Sequence, residues 1–268
     1  MKNIEALVRG RRSVRNYKEK PIEPEVMEKL AEFIAELDNP YGIAVDVLLR
    51  DAGEYKLSCP VAPGVGLFAC GRVKRCQHMN EAFGYSFEKL VLFCRSLGLG
   101  TVWVGGTMDR AAFENAADLA DDEAMPCMSP VGYPAEKMAL REIMMRKAIK
   151  ADERMDFSQL FFDGSFDRPL SSESAGELFK ALEMVRLAPS AVNKQPWRIV
   201  LDGKTVHFYL QRSKGFGGGA LDMQKIDMGI ALCHFDLAAR EQGFEPRFAV
   251  DRPDIPAEGL EYIATYHI

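Results

Sequence analysis

Three arginines and a serine lie close together near the start of an acidic chain, in the segment RRSVRNY at residues 11–17. The chain as a whole has a formal net charge of −5 at pH 7. Guanidinium groups form bidentate, charge-assisted hydrogen bonds with carboxylates and phosphates, so this segment could bind an anion. The alternative interpretation is a solvated basic segment or a patch that meets an acidic partner.

A second group of polar residues follows a predicted helix in the stretch LAPSAVNKQPWRIV, residues 187–200. Pro189 and Pro196 restrict the backbone there. Between them, Ser190, Asn193 and Gln195 present short polar groups from what we expect to be a rigid turn. An ordinary helix–strand loop made of common turn-forming residues is the alternative.

Composition restricts the class of protein. The 268 residues are 47% hydrophobic and 27% charged, which is typical of a globular chain of one large or two small domains. The excess of acidic residues disfavours nucleic acid as a partner, because binding to phosphate backbones requires broad basic surfaces. No apolar run approaches the ~18 residues of a membrane-spanning helix. We therefore expect a soluble, cytoplasmic protein that binds neither nucleic acid nor membrane.

Other residues that could form sites give weaker signals. The six cysteines have no CxxC spacing and no neighbouring histidine pair, which favours reduced thiols over disulfides or a zinc site. His234 falls on an apolar helix and is interpreted as a core residue, so no metal is predicted. The segment GVGLFA, residues 64–69, fits a dinucleotide-binding pattern, but a strand-like sequence follows where a helix should begin.

The surrounding pattern predicts alternating helices and strands. An amphipathic helix is expected in PIEPEVMEKLAEFIAEL, strands in IAVDVLLRD and PGVGLFACG, and an apolar helix closed by glycine in FGYSFEKLVLFCRSLGLG. A short acidic helix is expected near residues 109–123, and the basic stretch from residue 140 is expected to lead into a linker.

The second half of the chain repeats the first. The stretch RPLSSESAGELFKALEMVRLAPS parallels KPIEPEVMEKLAEFIAELDNP, and WRIVLDG falls where VDVLLRD fell. The apolar helix and the glycine that ends it also recur, with Gly243 in the place of Gly98. We interpret this as a tandem of one helix–strand–helix unit.

Four motifs together resemble those of the flavin-dependent nitroreductase family: RRSVRNY, APSAVNKQPWR, SLGLGTVWVGG and GYPAEK. The resemblance covers most of the chain and implies an α+β, nitroreductase-like fold. Ordinary members carry the arginine motif and the Pro-Ser-Asn turn in one subunit and form homodimers. Here the motifs lie in different halves, residues 1–155 and 156–268. The chain therefore resembles a pseudo-symmetric, single-chain mimic of the dimer, with FMN between the halves.

The resemblance also implies roles for individual residues. Arg11 and Arg12 would bind the FMN phosphate, Ser13 its phosphate or ribityl oxygens, and Arg15 the N1/O2 edge of the ring. Main chain at Gly105 and Gly106 would approach N5, and a basic residue after GYP, with Arg141 favoured, would help to hold the phosphate. The dimethylbenzene side and the ribityl chain would be lined by Pro189, Ser190, Ala191, Asn193 and Gln195.

The function implied is that of an FMN-dependent oxidoreductase. NADH or NADPH would reduce the flavin at N5, and an electron-poor acceptor such as a nitroaromatic or a quinone would reoxidise it. No catalytic side chain is assigned, because the cofactor carries the hydride chemistry. The alternatives are an FMN-binding protein without turnover, acting as a reservoir or redox sensor, and a degenerate scaffold without flavin.

The duplication also leads to an expected stoichiometry. The register that pairs Tyr17 with Phe166 places Leu160, Phe161 and Gly164 opposite the three arginines, so a second site would lack guanidinium groups. We therefore expect one FMN per chain, in a monomer that acts as a pseudo-dimer and could oligomerise further.

Overall fold

The structure is a computed structural model that describes residues 1–216, 219–251 and 253–268, with the side chain of Arg141 outside the described part. The chain divides into two compact units. The first comprises Met1 and Gly10–Lys150, and the second comprises Lys2–Arg9 and Ala151–Ile268. The division thus falls after residue 150 instead of residue 155, and most of the first helix, α1 (Ile4–Gly10), belongs to the second unit.

The first unit combines a five-stranded sheet with helices. Its helices are α2 (Pro24–Ala35), α3 (Met79–Ser96), α4 (Arg110–Ala116) and α5 (Leu140–Ala148). Its strands are β1 (Val45–Asp51), β2 (Leu67–Lys74), β3 (Gly100–Thr101), β4 (Glu123–Ala124) and β5 (Met128–Gly132). The sheet order is β1-β2-β5-β3, with β4 paired to β2, and its pairs are antiparallel.

The second unit is built in the same way. Its helices are α6 (Phe157–Leu160), α7 (Phe179–Arg186) and α8 (Met223–Glu241). Its strands are β6 (Phe161–Asp163), β7 (Trp197–Asp202), β8 (Thr205–Leu210), β9 (Arg247–Ala249) and β10 (Glu261–His267). They form a sheet in the order β6-β7-β8-β10-β9, in which only β6 pairs in parallel.

The strand orders confirm the repeat inferred from the sequence. The order β1-β2-β5-β3 in the first unit corresponds to β7-β8-β10-β9 in the second, and each corresponding pair is antiparallel. The long helices α3 and α8 follow the second strand of each hairpin. Both are followed by a glycine at positive φ, +76° at Gly98 and +88° at Gly243, a conformation that favours glycine after a helix.

The two long helices lie in the cores of their units. Residues on nearly all sides of α3 and α8 are buried, which is expected of a helix that is apolar around most of its circumference. In the first unit, α2 packs on α3 through Phe33 and Phe93, whose ring centroids are 3.9 Å apart in a stacked arrangement. Pro24 begins α2 at a position where its missing N–H is not needed.

Three expectations differ from the structure. The acidic helix predicted near 109–123 is limited to α4, which Asp109 caps through a hydrogen bond from Ala112 N. The basic stretch expected to lead into a linker forms α5.

The register that set Leu160, Phe161 and Gly164 opposite the arginines is also wrong. Residues 13 and 14 run beside β3, whereas Phe161 lies in β6 and pairs with Ile199 of β7 at the other edge of its sheet. Leu160 and Phe161 are fully buried core residues.

Several further observations bear on the classes of site considered above. The six cysteines are free thiols, of which only Cys76 is exposed. His234 is buried, and its Nδ1 lies 2.9 Å from the carbonyl oxygen of Met184, as expected of a core histidine. Within the described ranges, no cluster of three or more His, Cys, Asp or Glu is arranged to hold a metal ion. In that same part of the chain, none of the helices combines the length and the apolar character needed to cross a membrane.

Candidate functional site

The backbone of the arginine segment is fixed along the β3 edge of the first sheet. Ser13 forms a parallel bridge with Thr101, and Val14 N donates to Thr101 O over 2.9 Å. Val14 is buried against Gly100, where an added Cβ would lie 2.7 Å from Val14 Cγ2. Because successive side chains of an extended segment point to opposite faces, burial of Val14 directs Ser13 and Arg15 the other way.

The arginine side chains carry unsatisfied donors. Arg11 Nε and the Nε and Nη1 atoms of Arg15 are buried and have no hydrogen-bond partner. Arg12 differs, because its Nη1 donates to Glu142 Oε1 over 2.6 Å. Buried polar atoms are nearly always paired in native proteins, so unpaired guanidinium nitrogens call for an explanation.

The electrostatic surroundings of these groups are positive. Burial lowers the pKa of Arg11, Glu88 partly opposes that effect, and the nearby charge of Arg146 lowers the pKa further. Burial likewise lowers the pKa of Arg15, with Glu142 opposing and Arg146 again adding to the effect. We call Arg11, Arg12, Arg15 and Arg146 the arginine cluster. Glu88 and Glu142 are the carboxylates that act on Arg11 and Arg15, and counted against the four arginines they leave these six described side chains with an excess of two positive charges.

The segment WVGG is held by contacts within the first unit. Val104 exchanges two main-chain hydrogen bonds with Met128, at 3.0 and 2.9 Å, and Gly105 O accepts from Arg110 Nη2 over 2.7 Å. Trp103 Nε1 donates to Glu88 Oε2 over 2.9 Å. Gly106 is exposed, and nothing lies within 4 Å of the position that a Cβ would take. The main chain at Gly106 is therefore open to close approach by a ligand.

The turn at residues 189–195 of the second unit has an unusual backbone. Val192, Asn193 and Gln195 all have positive φ, at 43°, 58° and 48°. Non-glycine residues rarely adopt this region, and a β-branched residue such as Val192 does so only under strain. Strained backbone is concentrated at functional sites and persists only where the surroundings enforce it.

Four side chains enforce this turn. Ser190 Oγ accepts from Gln195 N over 2.9 Å, and Asp227 Oδ1 of α8 accepts from Ala191 N over 2.9 Å. The amides of Asn193 and Gln195 reach the segment before α6: Asn193 Nδ2 donates to Glu153 O, and Gln195 Oε1 accepts from Met155 N, both over 2.9 Å. The polar groups of Asn193 and Gln195 therefore shape the turn.

Asp227 and Glu142 are the residues that the sequence interpretation missed. Asp227 is buried, and burial raises its pKa well above the ordinary value, an effect that the Ala191 N–H partly opposes. An acidic residue inside the apolar helix IDMGIALCHF was the available signal for it. For Glu142, an acid within a basic stretch, no comparable signal exists.

The predicted site residues fall into two groups. Arg11, Arg12, Ser13 and Arg15 lie together in the first unit, which also contains Gly105 and Gly106. The second group, Pro189, Ser190, Ala191, Asn193 and Gln195, forms the strained turn of the second unit. The side chain of Arg141 lies outside the described residues. Arg146, farther along α5, is a basic residue whose charge acts on Arg11 and Arg15.

Comparisons with known proteins agree with this fold. A solved structure from Thermotoga maritima, titled a "putative nitroreductase", matches with a TM-score of 0.64 and 22% identity, over 100% of this chain and 94% of that one. That likeness concerns the fold. An FMN-dependent nitroreductase from Clostridium difficile matches with a TM-score of 0.43 and 17% identity, over 50% of this chain and 90% of that one. A search of curated proteins finds no match.

The protein-family model described as "Putative TM nitroreductase" matches residues 3–239, which is most of the 268 residues. Together with the repeated fold and the four motifs, this match shows that the chain belongs to the nitroreductase family.

Proposed function

We propose that this protein is an FMN-dependent oxidoreductase that takes hydride from NADH or NADPH and reduces a small electron-poor acceptor, such as a nitroaromatic or a quinone. The observation that carries the proposal is the set of buried, unpartnered guanidinium nitrogens of Arg11 and Arg15. A buried charge without a partner is costly, and a bound anion would offset that cost.

The arginine cluster fits the phosphate of FMN in charge and in donors. A phosphomonoester carries about −1.5 to −2 charges near pH 7, and the cluster has an excess of two positive charges. The buried, unpartnered donors of Arg11 would face the phosphate, and those of Arg15 would face the N1/O2 edge of the ring. Arg12 donates to Glu142 through Nη1 only, so its other N–H groups stay available to the phosphate. Arg12 therefore stays a predicted ligand of the phosphate, held in place by Glu142.

The other predicted contacts with FMN rest on the family resemblance and on open or strained backbone. Gly106 offers main chain that a flat ring could approach. The turn at 189–195 exposes Val192, whose side chain is apolar and 52% exposed. Asn193 and Gln195 would act through the shape of this turn, because their amides are engaged within their own unit.

FMN, when bound, would supply the hydride chemistry by accepting hydride at N5 and returning electrons to the acceptor. The side chains described here would bind and orient it. Arg15, if it lies at the N1/O2 edge of the ring, would stabilise the negative charge that develops there on reduction. A hydrogen bond to a charged group is worth roughly 1.5–3 kcal/mol.

The experiment is a visible absorption spectrum of the purified protein, reconstituted with FMN and recorded anaerobically before and after NADH or NADPH. We expect a flavin spectrum that bleaches with the reductant and returns on addition of a nitroaromatic or a quinone. Bleaching by dithionite alone would favour the FMN reservoir, and failure to bind FMN would contradict both interpretations.

A matched pair of variants links that result to the cluster. Arg11→Gln should lose most FMN affinity, because one unpartnered guanidinium disappears. Arg9→Gln changes an arginine that is half-exposed and pairs with Glu5, so it should bind FMN as the parent protein does.

A further inference from the structure

Glu142 is a buried carboxylate that contacts Arg12 of the arginine cluster and acts electrostatically on Arg15. Its side chain is 1% exposed, whereas that of its partner Arg12 is 32% exposed. Oε1 accepts from Arg12 Nη1 over 2.6 Å, but Oε2 is buried and has no hydrogen-bond partner. An incompletely satisfied buried carboxylate destabilises a protein, so its presence is not explained by stability.

The charge of Glu142 acts on more than one neighbour. Burial lowers the pKa of Arg15, and the charge of Glu142 opposes that shift. The same charge helps burial to raise the pKa of Tyr17. The cluster would have an excess of three positive charges without this carboxylate, and has an excess of two with it. Glu142 therefore determines how much negative charge a ligand must bring.

We propose that Glu142 is a specificity-determining residue, which matches the arginine cluster to dianionic phosphomonoesters and disfavours more highly charged phosphates such as pyrophosphate. The inference rests on the proposed function, since it concerns the same anion site. The simpler alternative is that Glu142 only positions Arg12. The two roles predict opposite changes in anion affinity when Glu142 is replaced. Loss of a positioning residue weakens anion binding, whereas loss of a repelling charge strengthens it.

Coulomb's law gives the expected change in anion affinity when the charge of Glu142 is removed. Removing one negative charge within several ångströms of a bound dianion should tighten its binding by at least about tenfold at the effective dielectric of a partly buried site. Because the interaction scales with the charge of the ligand, a trianion should gain more, at least about thirtyfold. The preference for pyrophosphate over phosphate should then rise by at least about threefold.

The test is calorimetric titration of the FMN-free protein with inorganic phosphate and with pyrophosphate, at a pH where phosphate is dianionic. We expect Glu142→Gln to bind both anions more tightly, pyrophosphate most. The control is Glu136→Gln, which removes an equal charge from a carboxylate of the same unit that is 86% exposed. It should change neither affinity more than twofold. Unchanged or weaker binding by Glu142→Gln would overturn the proposal.

A second comparison covers the case in which Glu142→Gln does not fold. Arg12→Gln lowers the excess charge to one, and the double variant Arg12→Gln/Glu142→Gln restores it to two while removing both partners of the ion pair. We expect the double variant to bind pyrophosphate at least tenfold more tightly than Arg12→Gln. Equal binding by these two variants would show that Glu142 acts only through Arg12.

Titration with FMN and riboflavin separates this inference from the proposed function. If the parent protein binds neither flavin but Glu142→Gln still shifts the anion preference, the charge inference stands and the FMN proposal fails. If the parent protein binds FMN more tightly than riboflavin and Glu142→Gln leaves the anion preference unchanged, the FMN proposal stands and the charge inference fails.

Discussion

Asp227 holds the main chain of Ala191: its Oδ1 accepts the Ala191 N–H over 2.9 Å, and its buried Oδ2 has no partner. The acid thus fixes the start of the strained turn from inside α8. Sliding the repeats so that Gly98 matches Gly243 places Ala82 where Asp227 stands. The first unit therefore lacks this support for its own turn.

We expect Asp227→Asn to make stability less dependent on pH. Burial raises the folded-state pKa of Asp227 above 3.8, so its stabilising contribution is complete below that value and is lost as pH rises through the raised pKa. Asparagine retains an acceptor for Ala191 but does not titrate. The free energy of unfolding of the variant relative to the parent should therefore increase with pH, by at most about 1.4 kcal/mol per pH unit.

The measurement is urea unfolding of both proteins across roughly pH 4–8. Asp167→Asn, which changes an exposed aspartate of the same unit, serves as the control. A difference between parent and Asp227→Asn that stays constant with pH would mean that Asp227 is ionised in the folded protein.

Asn193 allows the strain of the turn to be separated from its hydrogen bonds. Asn193→Gly and Asn193→Ala both lose the bonds to Glu153 O and from Arg154 Nη1, but only glycine accepts a φ of 58° without strain. We expect the alanine variant to be less stable by roughly 1 kcal/mol and to retain FMN more weakly. Equal stability and equal FMN retention in the two variants would show that the backbone conformation does not matter.

Arg15 should influence the reduction potential more than the binding of FMN. If its guanidinium stabilises reduced flavin, Arg15→Ala should lower the midpoint potential by tens of millivolts, since ~1.4 kcal/mol corresponds to ~30 mV for two electrons. Redox titration against reference dyes measures the shift, with Arg9→Ala as the matched control. An unchanged potential with FMN still bound would remove Arg15 from the ring and leave it to the phosphate.

Gly106 tests whether the flavin approaches the WVGG segment. Nothing lies within 4 Å of the Cβ that Gly106→Ala would add, so stability should change by less than about 1 kcal/mol. A ring packed on this main chain would collide with the new methyl group, and we expect FMN affinity to fall at least tenfold. Gly66→Ala, at another open position of the same unit, should leave FMN affinity unchanged.

One FMN per chain remains the expected stoichiometry, although part of its original basis was wrong. The described residues form one arginine cluster and one strained turn supported by a buried acid. The corresponding turn of the first unit contains Asp38, which pairs with Lys89, and Asn39, whose Nδ2 donates to Ser86 Oγ. Flavin released by heat and measured against amino-acid analysis gives the ratio, and a value near two would contradict the prediction.

The local pattern of the sequence was sufficient for the elements and their repetition. Apolar residues around α3 and α8, alternating residues in β1 and β7, and the glycines after the long helices are properties of neighbouring residues. Helix and strand propensity depends on residues that are close in sequence. The structure confirms the helices α3 and α8, the strands β1 and β7, and the positive φ of the glycine after each long helix. The arginine segment was recognisable for the same reason, as three like charges within five residues.

The tertiary structure decided the partners of these residues. Glu142 meets Arg12 across 130 positions of sequence, and Asp227 meets Ala191 across 36. No local preference encodes such pairs, because they arise only when α5 and α8 pack on their units. The same holds for the different sheet edges taken by Ser13 and Phe162, which counting along the repeat had treated as equivalent. The sequence thus determined which groups carry charge, and packing determined which of those charges are buried and left without a partner.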